Sequence, residues 1–192
     1  NVMPTDSRPN WAALLTGAGP EQNGVLDNSW RQDSPVVKPQ ATDEDGFFPS
    51  IFYVVRQQMP EAKIAVFTDS RGFSRSFNTN HIDTVAWFEK MNTSITGAIP
   101  YITSEKPEFA FLYSVDTDHE GHTYGWGSDE YLAAMERADA DIGELMQALR
   151  ENDMYEDTYI IVVTDHGGLG KRHGGTSEHE MLVPWIIKGP GT

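Results

Sequence analysis

The 192-residue chain contains no cysteine, few basic side chains and no long apolar run. The absence of cysteine excludes disulfides, thiolate metal sites, cysteine nucleophiles and iron–sulfur clusters. Only 14 lysines and arginines stand against 29 acidic residues, which gives a net charge of −15. This charge argues against unaided binding to nucleic acid or to an anionic membrane, because phosphate contacts need lysine and arginine. If the protein handles phosphate, metal ions must supply the positive charge locally.

The chain also lacks an apolar segment of the roughly 20 residues that a membrane-spanning helix needs. No signal peptide is recognisable, and the sequence begins at Asn1 rather than at methionine. It opens without a leading strand and stops just after an apolar run. Because 192 residues suit one domain, we expect a single domain over residues 1–192 that is incomplete at both ends.

Helical patterns are clearest near the start and near the middle of the sequence. Pro9 suits the first turn of a helix, and the apolar stretch after it ends at Gly17, so a helix is predicted to begin within residues 7–10. A loop rich in glycine, asparagine and aspartate is expected over residues 19–46. Residues 130–150 carry apolar side chains at helical spacing and predict a long helix.

Strands are predicted where short apolar runs are uninterrupted. The runs over residues 63–68, 109–115 and 159–164 are typical of buried strands. Residues 182–188 predict a short or edge strand, because they contain Pro184.

Two segments are harder to assign. Residues 49–59 fit a helix or a strand, and residues 83–91 are predicted to form a helix capped by Asp83. The alternation of helices and strands favours the α/β class, with a mostly parallel central sheet and helices on both faces.

Polar residues follow the predicted strands, at the place where parallel sheets gather their ligands. Asp118 and His122 come after the second strand, and carboxylate and imidazole groups at this spacing can bind one zinc ion. A solvated acidic turn is the alternative for that segment. Asp165 and His166 end the third strand, where the following glycines allow a turn that directs both side chains at one metal. An ordinary loop is the alternative there.

Two more polar segments have both a structural and a functional interpretation. His173 lies in a glycine-rich loop, which is equally typical of a mobile surface segment. Ser7 stands at the expected N-terminus of the first helix, where backbone N–H groups and the helix dipole favour anions. A serine at this place is usually a helix cap. No sequence motif supplies a general base for Ser7, so a nucleophilic role requires metal activation.

Taken in order, these segments resemble the type I phosphodiesterase/nucleotide pyrophosphatase family of the alkaline phosphatase superfamily. The matching residues are SRPNWAALLTGAGPEQNGVLDN (7–28), DHEGH (118–122), TDHGG (164–168) and HGGTSEHEM (173–181). The combination is specific, although each motif alone is not. The resemblance implies an alkaline-phosphatase-like fold and a metal-dependent hydrolase of phosphoric esters that acts on a small phosphate ester or nucleotide.

The resemblance also implies a site with two divalent metal ions, of which zinc is favoured. Ser7 is similar to the family's nucleophile, a threonine in many relatives, and Asn28 to the residue that donates to a phosphoryl oxygen. The expected ligands of one ion are Asp118, His122 and His173. The expected ligands of the other are Asp165, His166 and the Ser7 oxygen. A further aspartate that the family places on the second ion belongs to a segment upstream of Asn1.

Some neighbouring residues are expected outside the direct ligands, namely Asp116, His119 and His179. Phe47, Phe48, Phe73 and Phe77 either stack on a base or fill the core, and the core is favoured for most of them.

Three alternatives stay open. A phosphomonoesterase shares the metal core and needs a further cation, for which Arg8 stands next to Ser7. A sulfatase is less favoured, because its C/S-x-P-x-R motif needs an arginine where Trp11 stands. A catalytically inactive fragment or binding domain is the third alternative, because one aspartate ligand is missing.

The expected partners are limited to a small phosphate-ester or nucleotide substrate. The acidic chain offers no nucleic-acid-binding surface and no membrane segment, and it does not determine an oligomeric state. Because relatives of this kind are often secreted, periplasmic or on cell surfaces, we expect one of these locations rather than the cytoplasm.

Overall fold

The computed structural model describes residues 1–191, and a three-stranded parallel sheet lies at the centre of the fold. Its strands are β1 (Ile64–Thr68), β2 (Thr84–Trp87) and β3 (Phe109–Tyr113), in the order β2-β1-β3. The central strand β1 is buried along its whole length, which explains its continuous apolar sequence. The predicted strands over residues 63–68 and 109–115 and the α/β class are therefore confirmed.

Two further strands pair with each other in the opposite sense. β4 (Ile160–Val163) is antiparallel to β5 (Trp185–Lys188), with Val163 opposite Trp185. Pro184 precedes β5, so the N–H group that proline lacks is not needed in the ladder. Both strands were predicted, but their antiparallel pairing was not, because an apolar run does not encode which strand lies beside it.

Helices cover both faces of the parallel sheet. Within residues 1–191 they are α1 (Ser7–Thr16), α2 (Pro20–Asn23), α3 (Ile51–Gln58), α4 (Ser94–Glu105), α5 (Asp116–Tyr124), α6 (Asp129–Glu151) and α7 (Glu178–Met181), with 3-10 turns at Phe73–Ser76 and Tyr155–Asp157. The predicted first helix is confirmed, and it ends at Gly17 in the left-handed conformation. The predicted long helix is α6, whose cap Ser128 accepts a hydrogen bond from the Tyr131 N–H group.

The prediction of a helix over residues 83–91 is wrong. Residues 84–87 form β2, which pairs with β1 in parallel. The Asp83 carboxylate caps no helix; it accepts from the Ile64 N–H group at 2.8 Å and pairs with Arg56 at 2.6 Å. The burial of β2 alternates along the strand, but four residues are too short a window to separate a period of two from a helical period.

Other departures from the predicted elements are smaller. Residues 49–59, which fitted either class, contain the helix α3, and the expected loop over residues 19–46 contains the short helix α2. Helix α4 was not predicted; it contains Pro100, a residue that is unfavourable inside a helix. Residues 116–124 form helix α5 rather than a solvated acidic turn.

Alternate residues of β1 point into two apolar clusters on opposite faces of the sheet. Ile64 and Val66 pack with Trp11 of α1 and Phe52 of α3, while Ala65 and Phe67 pack with residues of α4 and α6. Phe73 and Phe77 belong to the first cluster, as expected for core residues. No helix in residues 1–191 has the length and apolar character needed to cross a bilayer.

Candidate active site

Asp118, His122 and His173 form one cluster, in which a ligand atom from each lies within 4.8 Å of the others. Asp118 and His122 are four residues apart on α5 and therefore share one helix face. The Asp118 Oδ1 atom is 3.5 Å from His122 Nε2 and 3.7 Å from His173 Nε2. This oxygen is buried and accepts no hydrogen bond from residues 1–191. A buried carboxylate oxygen left without a donor between two imidazole nitrogens fits a bound cation.

Ser7, Asp165 and His166 form a second group. The Ser7 Oγ atom lies 3.1 Å from His166 Nε2, although 159 residues separate the two in sequence. Asp165 Oδ2 lies 3.3 Å from the same nitrogen and accepts no hydrogen bond within the described chain. Burial raises the pKa of Asp165. The imidazoles of His166 and His173 stack with ring centres 3.8 Å apart, so the two groups lie side by side.

Ser7 is not the cap of α1. It is the first residue of the helix, and Asp6 occupies the cap position without a side-chain capping bond. The Ser7 hydroxyl is therefore free to face His166 instead of the helix backbone. The structural interpretation of this serine as a simple helix cap is wrong.

The three histidines are held in one orientation by backbone carbonyls. Each Nδ1 lies at hydrogen-bonding distance from a carbonyl oxygen: Lys171 at 3.0 Å for His122, Thr5 at 2.8 Å for His173, and Gly167 at 2.8 Å for His166. A carbonyl oxygen only accepts, so Nδ1 carries the proton. In the neutral imidazole the Nε2 lone pair then faces the site, which is the tautomer that a metal ligand needs.

The second group differs from a serine–histidine–aspartate triad. In a triad the carboxylate lies behind the imidazole, on the nitrogen opposite the serine. Here the Asp165 carboxylate and the Ser7 hydroxyl both face His166 Nε2, and Nδ1 is bonded to the Gly167 carbonyl. Two oxygens and one nitrogen that lie this close together are atom types that zinc accepts as ligands.

Asn28 is oriented by the N-terminus of α1. Its Oδ1 atom accepts a hydrogen bond from the Arg8 N–H group at 2.8 Å. This bond satisfies one of the free N–H groups at the start of the helix. Because the carbonyl oxygen of the side chain is engaged, the Asn28 amide group keeps its N–H groups as donors.

Thr5 was missed in the sequence, yet it positions the His173 loop. It is fully buried, and its carbonyl accepts from His173 Nδ1. Its hydroxyl accepts from the Gly174 N–H group and donates to the Gly175 carbonyl, both at 2.9 Å. The partners lie about 170 residues along the chain, so no local pattern points to them.

We expect Thr5→Val to lower the free energy of unfolding by about 1–2 kcal/mol, because it leaves the partly buried Gly174 N–H group and Gly175 carbonyl without their partner at nearly constant volume. Urea unfolding followed by circular dichroism measures this change. Thr5→Ser keeps the hydroxyl and is the matched control. Equal stability of the valine and serine variants would show that the hydroxyl does not hold the loop.

Two aspartates hold α5 in place through hydrogen bonds and an ion pair. Asp116 Oδ2 accepts from Arg137 Nε at 3.0 Å and pairs with Arg137 Nη2 at 2.8 Å, so its charge is already matched. Asp69, which follows β1, accepts from the Ser114 hydroxyl at 3.0 Å and from the Val115 N–H group at 2.9 Å. Burial raises the pKa of Asp69. Asp69 thus fixes the turn that leads into α5.

The Trp126 side chain packs against His122 and His173. Its ring centre lies 5.1 Å from that of His122 and 6.0 Å from that of His173. The ring sits against Gly121 and Gly168; a Cβ atom on Gly168 would lie 2.2 Å from it. The second glycine of the TDHGG segment therefore serves close packing of this indole, a role that the sequence did not suggest.

Comparison with known proteins agrees with the resemblance noted in the sequence. The family model of type I phosphodiesterase/nucleotide pyrophosphatase matches residues 1–170. Human ectonucleotide pyrophosphatase/phosphodiesterase family member 1 is 24% identical over 179 residues, which cover 86% of this chain and 19% of that protein. The chain thus spans about a fifth of the length of this curated relative.

Two solved structures share the fold. Murine ectonucleotide pyrophosphatase/phosphodiesterase 5, an inactive variant in complex with AMP, superposes with a TM-score of 0.64 at 21% identity, over 87% of this chain and 47% of that one. A candidate sulfatase from Bacteroides thetaiotaomicron gives a TM-score of 0.69 at 16% identity, over 99% and 55% of the two chains. Both likenesses support an alkaline-phosphatase-like α/β fold. Because the family model covers most of its residues, the chain belongs to the type I phosphodiesterase/nucleotide pyrophosphatase family.

Proposed function

We propose that residues 1–192 form one domain that carries the active site of a metal-dependent hydrolase. The enzyme cleaves phosphodiester or pyrophosphate bonds in small substrates, with Ser7 as nucleophile and two divalent ions, preferably zinc. One observation carries the proposal: Ser7 Oγ lies 3.1 Å from His166 Nε2, beside a second cluster of metal-ligand type, in a member of a phosphodiesterase family.

The donor set suits zinc better than magnesium or calcium. Three imidazole nitrogens and two carboxylates are available, whereas magnesium and calcium prefer oxygen ligands throughout. The ligands of one ion would be Asp118, His122 and His173. The ligands of the other would be Asp165, His166 and the Ser7 oxygen. When bound, such ions polarise phosphoryl oxygens and lower the pKa of a coordinated hydroxyl or water.

Residues of this chain orient the nucleophile and the phosphoryl group. The contact with His166 Nε2 directs Ser7 Oγ at the point where the ligand atoms meet. Ser7 gives its proton to solvent and attacks phosphorus in line, so that the Oγ–P bond forms as the bond to the leaving oxygen breaks. The Asn28 amide donates to an equatorial oxygen of the phosphoryl group. Water then cleaves the phosphoserine and regenerates the hydroxyl of Ser7.

The charge of the protein is compatible with this role. A net charge of −15 repels phosphate from the surface as a whole. Divalent ions held by Asp118 and Asp165 would neutralise these acids and make one local positive site within an acidic surface. Phosphate chemistry is thereby confined to a single pocket.

The comparisons supply a substrate class and a location for the proposal. The name of the human relative describes an ectoenzyme that acts on nucleotides, and the murine structure holds AMP. We extend both features to this chain: nucleotides or similar small phosphoric esters are the substrates, and the protein works outside the cytoplasm, in the periplasm, at the cell surface or in the medium.

Metal analysis combined with a diesterase assay tests the proposal. We expect two equivalents of zinc per chain, measured by plasma mass spectrometry, and hydrolysis of bis(p-nitrophenyl) phosphate that is lost on chelation and restored by zinc. A protein that takes up no metal and hydrolyses no phosphoric ester would instead support the non-catalytic binding domain.

A further inference from the structure

Glu180 is a buried acid on helix α7 that belongs to neither ligand group. It is 7% exposed, and no lysine or arginine in residues 1–191 forms an ion pair with it. A buried carboxylate without a basic partner is costly unless hydrogen bonds stabilise it. The hydrogen bonds of Glu180 therefore bear on its role.

The side chain of Glu180 binds the loop that follows His173. Its Oε1 atom accepts from the Gly175 N–H group at 2.7 Å, and its Oε2 atom accepts from the hydroxyl and the N–H group of Ser177 at 2.6 and 3.2 Å. The bonds to Ser177 belong to a capping box, in which an acid three residues after the helix cap reaches back to it. The bond to Gly175 lies outside that motif, so helix capping does not account for it.

The main chain of Glu180 binds the other ligand loop. Its carbonyl oxygen accepts from the N–H group of Gly167 at 3.0 Å, and Gly167 directly follows His166. The imidazoles of His166 and His173 stack with ring centres 3.8 Å apart. One residue is thus bonded to the backbone within two residues of each histidine, and it links the two ligand groups.

The Gly175 peptide group is held from two sides. Its N–H group donates to Glu180, and its carbonyl accepts from the Thr5 hydroxyl at 2.9 Å. A Cβ atom on Gly175 would lie 2.5 Å from Glu180 Oε2, so the carboxylate packs directly against the glycine. Without the carboxylate, the peptide group keeps its bond to Thr5 but loses its link to the residue that binds Gly167.

We propose that Glu180 is a positioning residue of the metal site. Its carboxylate holds His173 at the distance from His166 at which the cluster of Asp118, His122 and His173 takes up an ion. The inference rests on the proposed function, because it assigns a bound ion to that cluster. Both oxygens of Glu180 are engaged by N–H and O–H donors, so the carboxylate is not itself a ligand.

Glu180→Gln tests the proposal in the full chain. The amide keeps the volume of the side chain but replaces one acceptor oxygen by a donor, so it cannot accept all three hydrogen bonds. Competition with a chromophoric zinc chelator measures the affinity for each zinc equivalent. We expect the affinity for one equivalent to fall about tenfold or more, as is typical when an outer partner of a metal ligand is lost, and the other to stay within about twofold.

Two control variants isolate the bond to Gly175. Glu178→Gln makes the same charge change at an exposed position of the same helix, and it leaves both affinities unchanged. Ser177→Ala breaks the capping box but keeps the Gly175 bond, so it also keeps both affinities within about twofold. A loss of affinity in Ser177→Ala equal to that in Glu180→Gln would assign the effect to the helix cap and overturn the proposal.

Urea unfolding of the metal-free variants separates positioning from a merely structural role. A structural role lowers the free energy of unfolding of Glu180→Gln but leaves the zinc affinity of the folded chain unchanged, and this result overturns the proposal. Equal losses of affinity for both equivalents overturn it as well, because the carboxylate binds only the loop of His173.

The proposed function fails on its own if the wild-type chain binds no zinc. Nuclear Overhauser contacts between the ring protons of His166 and His173 then decide the role of Glu180 in the metal-free chain. Weaker contacts in Glu180→Gln than in the wild type support positioning of His173 by the carboxylate, and equal contacts overturn it.

Discussion

Replacing Ser7 with alanine is expected to lower kcat for bis(p-nitrophenyl) phosphate by about a thousandfold or more, with little change in KM. The variant removes the atom that bonds to phosphorus, but Asp165 and His166 stay in place because their own contacts do not depend on the hydroxyl. Steady-state kinetics together with metal analysis therefore separates loss of the nucleophile from loss of metal.

Two variants serve as controls for this result. Ser7→Thr keeps a hydroxyl at the position where many family relatives carry threonine, so it retains measurable turnover. Ser34→Ala removes an exposed hydroxyl that, within residues 1–191, donates only to the neighbouring Asp33, and it leaves kcat unchanged. Normal turnover by Ser7→Ala would exclude Ser7 as the nucleophile and would direct attention to a metal-activated water.

The double variant His122→Ala with His173→Ala is expected to lose one of the two metal equivalents and to reduce kcat by about a thousandfold. The two imidazoles are two of the three side chains in the cluster, and the remaining Asp118 carboxylate alone does not hold zinc against water. Metal content per chain, measured after gel filtration in a metal-buffered solution, reports the loss without reference to activity.

His119→Ala is the matched control for the histidine pair. His119 lies on the same helix, next to Asp118, but its side chain is exposed and is not part of the ligand cluster. It should leave both metal content and turnover unchanged. Full metal occupancy in the double variant would rule out this cluster as a metal site, whatever happens to the rate.

The elements that could be predicted are those whose pattern is local. Helix α6 shows its apolar spacing over six turns, and β1 is a continuous apolar run bounded by polar residues, so each is visible in its own segment. Strand β2 was mistaken for a helix because its four residues become a strand only through pairing with β1. Helix α5 was not assigned, since its sequence of acids and histidines has little helical character of its own.

The candidate site divides in a similar way. The sequence shows which residues are of metal-ligand type. It also shows that they follow apolar strands. It does not show the role of Thr5, because that role depends on backbone groups of residues 173–175 that the fold brings to it. The role of Gly168 was also hidden, since a glycine that accommodates an indole looks the same in sequence as one that allows a turn.

The sequence by itself determined the donor chemistry, the order of the ligand motifs along the chain, the acidic surface and the membership of a hydrolase family. Only the tertiary structure decided that the Nε2 atoms of three histidines face the site and that Asp165 and Ser7 lie at the same nitrogen of His166. The physical reason is that each of these features depends on a contact between distant segments. Such contacts follow from where the folded backbone places its carbonyls, N–H groups and charges, and no local pattern of side chains contains that information.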